Sequence, residues 1–459
     1  MKKWIWKLGL LLSILFALSG CMSQSGENFY ALPQLPEDYL ALQKTIDQVM
    51  GGIGAEYAAP ASGDNVQTIQ LQDLDGDGVR ESAVAFFRVS NAEKPLKIYV
   101  FRQNTVSGEY EVAWTIEGDG TGIYSVAFEN LGGKNSKEIV VCWQISAKVQ
   151  SLTAYSLQSG GNVTELMRSG YTKHAVVDLD RDNEKEILLV QLDTAENNSR
   201  VEMYDYDNGI MLLTSAVPLS LNITEIKTAK VGSLVGEINL PPALFISSDF
   251  GENGGRITDI IAVREEGLVN LTLDQQTGMS TSTVRYYKDF NDANGLDINN
   301  DGVTELPVSE PLPLVTETST QMHLLHWYQF DLQGAAARVF TTYHCYDDSW
   351  YLVLPENWLG QVTVARRDQS ASASVSERAV SFYHLDPETG ETEEFLTIYR
   401  LSGTNRNYRS TVDNRFVIFE SSDVVYSAKF RSSKWDCGLD DDALRERFNR
   451  IKVSWSDEN

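Results

Sequence analysis

The sequence predicts a mainly β protein built from repeated strand–loop–strand units. The main observation is an Asp-rich loop, Asp73–Glu81, which reads Asp-Leu-Asp-Gly-Asp-Gly-Val-Arg-Glu. The same spacing of acidic residues returns at Asp178–Glu186 and, with Asn at the third position, at Asp297–Glu305. Apolar runs flank the loops, as at 66–71 and 82–87 around the first one. Apolar, β-branched runs on both sides of a tight polar turn are typical of strands.

Each loop places oxygen-bearing side chains at positions 1, 3, 5 and 9, and hard oxygen ligands at alternate positions are what Ca²⁺ coordination needs. We expect the backbone carbonyl at position 7 to complete the shell. The predicted ligands are Asp73, Asp75, Asp77, Val79 and Glu81; Asp178, Asp180, Asp182, Glu184 and Glu186; and Asp297, Asn299, Asp301, Val303 and Glu305. A solvated acidic turn is the alternative for a single loop, but three copies favour structural calcium.

The loops are not those of an EF-hand, which has flanking helices and a bidentate Glu at position 12. Position 12 is Val84, Leu189 or Val308. The three loops also differ in charge and backbone freedom. Asn183 stands where the first loop has Gly78, and Asn299 leaves the third loop with three carboxylates.

These loops resemble the FG-GAP or integrin-α-like (VCBS-type) repeats of β-propellers, whose Asp-rich loops bind Ca²⁺ between neighbouring strands. The chain is similar to propeller-bearing lipoproteins of Gram-positive, clostridia-type bacteria. The resemblance covers roughly residues 60–335 and implies a β-propeller with calcium loops. Two degenerate copies, at 129–138 and 249–259, have lost early carboxylates or gained residues. We expect five to seven blades, with an enlarged blade or an insertion between Glu186 and Asp259.

The N-terminus predicts a lipoprotein signal peptide over residues 1–20. Three lysines precede an apolar run, Leu8–Leu18, that is too short to span a bilayer. The run ends in Leu-Ser-Gly-Cys21, which matches the bacterial lipobox and predicts Cys21 as the lipidated first residue of the mature chain. An ordinary secreted protein is the alternative. We expect the protein on the outer face of the bacterial cell membrane, with the membrane as a partner through Cys21.

Composition argues against nucleic acid as a partner. The formal net charge is −26, and a surface this acidic repels phosphate backbones. The three cysteines after Cys21 are Cys142, Cys345 and Cys437. They leave at least one free thiol and allow a disulfide between Cys345 and Cys437.

Five segments are predicted along the chain. They are the signal peptide (1–20), a polar tether (21–35), a helix and lead-in (36–60), the propeller (61–335) and a small α+β domain (340–459). The last domain has six predicted strands, a turn at 386–390 and a closing helix near Asp440–Ile451, with acidic residues at its start and arginines toward its end.

The sequence contains no recognised nucleophile motif. His323 and His326 would point to opposite faces of a strand, so we interpret them as structural. We interpret the aromatic residues at 327–358 as packing residues rather than as a surface that stacks on sugars or peptides. We therefore expect a calcium-binding binding or scaffold module for a protein or glycan ligand, without enzymatic activity. An extracytoplasmic enzyme acting on glycans or cell-wall material is the alternative.

Overall fold

The computed structural model describes residues 37–451, apart from 91, 105, 133–134, 237, 252–254, 286–293, 318 and 373–374. The predicted signal peptide, the tether and Cys21 lie outside the described residues. Within this part of the chain, the strands form six sheets of four or five strands and one sheet of two. The prediction of a mainly β fold is confirmed. No helix in the described part has both the length and the apolar character needed to cross a membrane.

The first sheet carries the N-terminal helix on one face. Helix α1 (Glu37–Ile53) occupies the segment for which the sequence predicts a helix. Its buried Leu42 and Ile46 pack against Phe87 and Phe101 of the sheet. The strands of this sheet are β1 (Ala55–Tyr57), β2 (Ile69–Gln72), β3 (Ser82–Val89), β4 (Leu96–Gln103) and β5 (Tyr110–Gly118). The helix thus covers the face of the first sheet that is turned away from the second sheet.

The second and third sheets are four-stranded antiparallel meanders, in which each strand pairs with the next one along the chain. The second sheet consists of β6 (Gly122–Glu129), β7 (Glu138–Gln144), β8 (Gln150–Leu157) and β9 (Val163–Tyr171). The third consists of β10 (Lys173–Val177), β11 (Glu186–Gln191), β12 (Arg200–Asp207) and β13 (Ile210–Pro218). Successive four-stranded sheets of this kind are the blade units of β-propellers.

The fourth sheet fills the interval for which the sequence predicts an enlarged blade or an insertion. Its strands are β14 (Ile223–Ser233), β15 (Pro242–Phe250), β16 (Gly255–Arg264) and β17 (Gly267–Asn270), with β20 (Thr283–Arg285) added beside β16. Strands β18 (Leu273–Asp274) and β19 (Met279–Ser280) form the two-stranded sheet. The predicted loop copy at 249–259 is wrong, because Asp249 lies in β15 and Asp259 lies in β16. The segment between the first two strands of this sheet is 234–241.

The fifth and sixth sheets begin as meanders, but their last strands do not follow chain order. The fifth contains β21 (Leu306–Pro311), β22 (His323–Phe330), β23 (Ala336–Cys345), β24 (Trp350–Val353) and β30 (Phe448–Arg450). The sixth contains β25 (Val362–Ser372), β26 (Val375–Leu385), β27 (Thr392–Gly403), β28 (Phe416–Glu420) and β29 (Val424–Phe430). Two short helices, α2 (Arg406–Arg409) and α3 (Asp441–Arg447), accompany them.

The predicted domain boundary near 335–340 does not separate two bodies. It falls inside the hairpin of β22 and β23, whose strands pair from Leu325↔Thr342 to Phe330↔Ala336. The fifth and sixth sheets also share one apolar core, to which Trp350, Trp358 and Phe382 contribute. The closing helix is shorter than predicted, because residues 448–450 pair with β24 as strand β30.

Consecutive sheets pack face to face in chain order, so their central strands are buried on both sides. In β11, Ile187 and Leu189 join the core shared with the second sheet. Leu188 and Val190 join the core shared with the fourth sheet. This double burial explains why these strands read as continuous apolar runs rather than as an alternating pattern. It also places the loops that follow the first strands of the sheets next to one another.

Candidate functional site

Two of the three Asp-rich loops connect paired strands, as the sequence predicts, and the third precedes a strand. The first joins β2 to β3, which pair up to Gln72↔Ser82. The second joins β10 to β11, whose last pair is Val177↔Glu186. The third lies between Leu296 and β21 and is closed by an antiparallel bridge to Glu305. The predicted strand–loop–strand context is confirmed for the first two loops. The third loop is followed by a strand but preceded, among the described residues, by the single bridge residue Leu296.

The loops share one backbone network. The N–H of the residue at position 6 donates to the carboxylate at position 1: Gly78 to Asp73 (3.0 Å), Asn183 to Asp178 (3.1 Å) and Gly302 to Asp297 (2.9 Å). These position-6 residues have left-handed backbones, with φ of 92°, 73° and 88° respectively. Glycine is therefore favoured at position 6, and Asn is the side chain that tolerates this conformation best.

A second shared bond joins position 7 to position 5. The N–H groups of Val79, Glu184 and Val303 donate to Asp77 (2.7 Å), Asp182 (2.7 Å) and Asp301 (2.9 Å). These bonds orient the position-5 carboxylate and fix the turn in which the position-7 carbonyl lies. That this carbonyl is a metal ligand stays a prediction.

The folded loops bring most of the predicted ligands together. Within each group below, the carboxylate oxygens lie within 4.8 Å of one another. The groups are Asp73, Asp75, Asp77 and Glu81; Asp178, Asp180, Asp182 and Glu186; and Asp297, Asp301 and Glu305. Asn299 lies within the third loop and donates from its amide to Asp301 at 2.9 Å. Each acidic group could hold a metal ion.

The glutamate at position 9 also closes the loop on itself. Glu186 accepts the backbone N–H of Leu179 at 2.6 Å with one oxygen. Glu305 accepts the corresponding N–H of Ile298 at 3.0 Å. In the degenerate loop before β7, Glu138 does the same with Leu131 at 3.0 Å. This loop-closing role needs no metal, which explains why the final acid remains in a loop that has lost the early carboxylates.

The second loop contains buried oxygens with no hydrogen-bond partner among the described residues. They are Oε1 of Glu186 and Oδ1 of Asp178, and Oε2 of Glu81 is in the same state in the first loop. Burial raises the pKa of Glu186 to about 8; the Leu179 N–H opposes this shift, and the neighbouring Asp carboxylates add to it. Unpartnered buried acceptors and crowded carboxylates are the environment that a bound cation would stabilise.

Different side chains neighbour the first and third loops. Arg102 on β4 forms ion pairs with Asp75 and with Glu81, the latter at 3.5 Å. The amide of Gln329 on β22 donates to both Asp301 and Glu305 at 2.8 Å. The first loop is therefore contacted by a positively charged guanidinium, and the third loop by a neutral amide donor. The sequence alone did not reveal either neighbour, because both come from the next strand of the sheet.

Adjacent loops contact each other through their backbones. The N–H of Lys137 donates to the carbonyl of Leu74 at 2.8 Å, which joins the first and second sheets. The N–H of Lys185 donates to the carbonyl of Asn130 at 2.9 Å, and its ammonium pairs with Glu129 at 2.6 Å. The Asp-rich loops are therefore part of the contact between neighbouring sheets.

A cavity of about 680 Å³ lies at the other end of the same strands. It is bordered by residues near the starts of β6 and β10, by the middle of β14 and by the turn between β7 and β8. We call it the lysine pocket, because Lys148, Lys173, Lys227 and Lys230 contribute to its wall. Since β6 and β10 run from the pocket toward their loops, the lysines and the acidic loops occupy opposite ends of the sheets.

The structure also brings together Cys142 and His174, which have no recognisable spacing in the sequence. The Cys142 sulfur lies 3.5 Å from Nε2 of His174, whose ring contacts Tyr171 edge-on. Burial raises the pKa of the Cys142 thiol. Burial, together with Lys173, lowers the pKa of His174 to about 4. The pair is thus a neutral thiol and a neutral imidazole, not the thiolate–imidazolium pair of a cysteine nucleophile.

Other predicted candidates are accounted for by packing. His326 is buried and hydrogen-bonds Thr341 at 2.8 Å and also contacts Glu310. The disulfide that the sequence allows between Cys345 and Cys437 is not formed, since both are free thiols. The aromatic residues of 327–358 with the lowest exposure are Trp327, Tyr343, Trp350 and Trp358, which are core side chains.

Comparisons with known proteins place the chain in no family. No family model matches the sequence, and no curated protein matches it. Among solved structures, a 6-phosphogluconolactonase-like protein from Bacteroides uniformis ATCC 8492 is 13% identical, with 74% of this chain and 94% of that chain covered and a TM-score of 0.30. Sqt1 from Chaetomium thermophilum is 11% identical (76% and 85% covered, TM-score 0.31), and Sqt1 from Saccharomyces cerevisiae is 9% identical (82% and 100% covered, TM-score 0.28). Similarity at this level carries no information on ligand or activity.

Proposed function

We propose that this protein is a calcium-binding, propeller-like binding or scaffold module, held by a lipid on the outer face of a bacterial membrane. The observation that carries the metal part is the pair of buried, unpartnered oxygens of Asp178 and Glu186. A buried acceptor without a partner is costly, and a cation would satisfy both oxygens at once.

Calcium fits the donor set better than softer metals. All the converging side-chain atoms are carboxylate oxygens, which Ca²⁺ takes in flexible, six- to eight-fold coordination. Magnesium demands near-ideal octahedral geometry and dehydrates reluctantly, so it suits an all-protein loop less well. The role of the metal is structural, because the loops lie between neighbouring sheets and their backbones are hydrogen-bonded to one another.

A thermal-melting titration tests this metal assignment. Calcium that binds the folded state alone stabilises it by mass action, and extracellular calcium modules bind at roughly 10⁻⁴–10⁻³ M. We expect the melting temperature to rise across that range, to fall again with a chelator, and to respond less to Mg²⁺. A melting temperature indifferent to millimolar Ca²⁺ would identify the loops as solvated acidic turns.

The anchor is proposed from Cys21, which lies outside the described residues. Fractionation of producing cells tests it. The native protein should partition into detergent with the membrane, whereas a Cys21→Ser variant should be released or remain unprocessed. Native protein found wholly in the medium would contradict lipidation and leave an ordinary secreted protein.

A binding role is favoured over the alternative of a glycan-acting enzyme. A glycosidase needs two carboxyl groups that flank the substrate. Among the described residues, the clusters of three or more candidate metal ligands lie in the three loops. A second cavity is also lined by Glu377 and Glu394, but Glu377 pairs with Arg415 at 2.8 Å and Glu394 pairs with Arg431 at 3.5 Å. The lysine pocket instead presents lysine, hydroxyl and tyrosine side chains. Incubation with cell-wall glycans, followed by a reducing-sugar assay, should show no turnover; release of sugar would favour the enzyme.

A further inference from the structure

We propose that the lysine pocket binds a small anionic ligand, one that carries a phosphate or carboxylate group. This inference deepens the proposed binding role by naming the chemistry of a ligand, and it concerns a site remote from the metal loops. Its starting point is a contrast: the protein has a net charge of −26, yet this one cavity is lined by four lysines.

The pocket belongs to three consecutive sheets. Strands β6, β10 and β14 are the first strands of the second, third and fourth sheets, and each forms an edge of its sheet. Strands β10 and β14 are in contact. The cavity thus lies where three sheet edges converge, and its position is set by the packing of whole sheets rather than by one mobile loop. A pocket formed in this way is largely preorganised for a ligand.

The size of the cavity suits a small molecule. About 680 Å³ falls within the range of roughly 300–1,000 Å³ that is usual for pockets of small ligands. Ammonium groups pair with phosphate and carboxylate oxygens. Hydroxyl and amide groups of Ser125, Gln150, Thr172 and Thr228 line the same space and can hydrogen-bond further oxygens of the ligand.

The four lysines are not equivalent. Lys227 already pairs with Glu225 at 2.6 Å and with Asp249 at 3.3 Å. The positive charge of Lys227 is therefore partly neutralised by carboxylates of the protein itself. Lys173, at the start of β10, and Lys148, in the turn between β7 and β8, belong to two different sheets, and both line the cavity. We assign the main attraction for the anion to these two.

Lysines on edge strands have another known role, which is to prevent the pairing of additional strands. That role requires only charge at the edge and makes no demand for an anion. The two explanations differ in what the pocket does with a small charged molecule, so a binding measurement separates them.

The test is isothermal titration calorimetry on the full mature chain with Ca²⁺ present. Ribose 5-phosphate and glucuronate serve as the anionic probes, and ribose and glucose as their neutral counterparts. We expect at least one anion to bind while its neutral counterpart does not, with weaker binding at higher salt because screening weakens charge attraction. Which anion binds more tightly identifies phosphate or carboxylate as the preferred group.

Three variants locate the binding. Lys148→Gln and Lys173→Gln should each weaken it by about fivefold or more, as expected when a charge-assisted contact is lost. Lys94→Gln removes an exposed lysine from the turn between β3 and β4, which lies at the same end of the sheets, and should leave binding unchanged. Circular dichroism and melting curves of each variant verify that it is folded.

Binding of neither anion, or an equal loss in all three variants, would overturn the proposal and leave the lysines as edge protection. The calcium titration remains independent of this result. Calcium stabilisation without anion binding would refute the pocket alone, and lysine-dependent anion binding without calcium stabilisation would refute the metal loops alone.

Discussion

Arg102 forms an ion pair with Asp75, the third residue of the first Asp-rich loop. The same guanidinium reaches Glu81 at 3.5 Å, so one protein cation already serves two of the four carboxylates at this loop. The second loop has the same number of carboxylates, and Glu186 and Asp178 there retain buried oxygens that no described residue satisfies. The first two loops therefore have the same number of carboxylates but differ in how far protein groups already pair with them.

We predict that Arg102→Gln increases the calcium affinity of the first loop. The guanidinium competes with the metal for Asp75 and Glu81, and an exposed ion pair of this kind contributes about 0.5–1 kcal/mol. Its loss should lower the calcium midpoint by about two- to fivefold, as measured by melting across a Ca²⁺ series. Arg338→Gln, which removes an exposed pair with Glu356, is the matched control. An unchanged or raised midpoint in Arg102→Gln would contradict competition.

We predict that the second loop contributes more to calcium stabilisation than the first. Asp180→Asn should remove more of the calcium-induced rise in melting temperature than Asp75→Asn, since Arg102 partly neutralises the first loop. Asn299→Ala should remove the least, because it deletes a neutral ligand. Melting with and without millimolar Ca²⁺ measures all three. A larger loss in Asp75→Asn than in Asp180→Asn would show that Arg102 yields to the metal at little cost.

The left-handed position 6 predicts two opposite effects on stability. Gly78 has φ of 92°, and an added Cβ would meet no atom within 4 Å. The Gly78→Ala variant should therefore have a free energy of unfolding lower by about 1 kcal/mol, because of backbone strain alone. Asn183 has φ of 73°, and Asn183→Gly should gain up to about 0.5–1 kcal/mol. Urea unfolding with a chelator present measures both. Stabilisation by Gly78→Ala would mean that this loop can adopt another backbone conformation.

We predict that the protein loses stability in mild acid because His344 is buried. Its ring stacks on Tyr351 at a centroid distance of 4.9 Å, and burial lowers its pKa to about 3. Below the ordinary value near 6.5 the unfolded chain binds a proton that the folded state refuses, so stability falls as pH decreases from about 6.5 toward 3.

The expected contribution of His344 is about 2.5 kcal/mol between pH 7 and pH 4.5. His344→Phe keeps a ring beside Tyr351 but cannot titrate, so its unfolding free energy should decline less over that interval. Urea unfolding at several pH values, with a chelator present throughout, measures the difference. Parallel pH profiles for the native protein and the variant would show that His344 takes up a proton without unfolding.

The local elements of this protein were readable from its sequence. Alternate carboxylates with Gly78 or Gly302 at position 6 specify a tight turn, and the apolar runs beside them specify strands. The run Val424–Phe430 forms strand β29 over its whole length. These features depend on backbone sterics and on residues close in the chain, which a linear pattern contains.

The sequence misplaced features that depend on pairing between distant segments. Asp259 matches the loop pattern only with two inserted residues, and it is a fully buried strand residue that accepts hydrogen bonds from Ser220 and Asn270. The lack of Asp-rich loops after Phe330 suggested a separate domain, yet β22 and β23 pair across that point. Spacing cannot distinguish a loop acid from a strand acid when both precede an apolar run.

Only the tertiary structure decided how the site is equipped. The sequence by itself determined which loops hold carboxylates, because ligands within nine residues need no long-range contact to converge. Arg102 and Gln329 reach two of those loops from a neighbouring strand, while Lys148 and Lys173 meet at a cavity formed by several sheets. These relationships follow from strand register and sheet packing, which sum many weak contacts between segments far apart in the chain and leave no local signature.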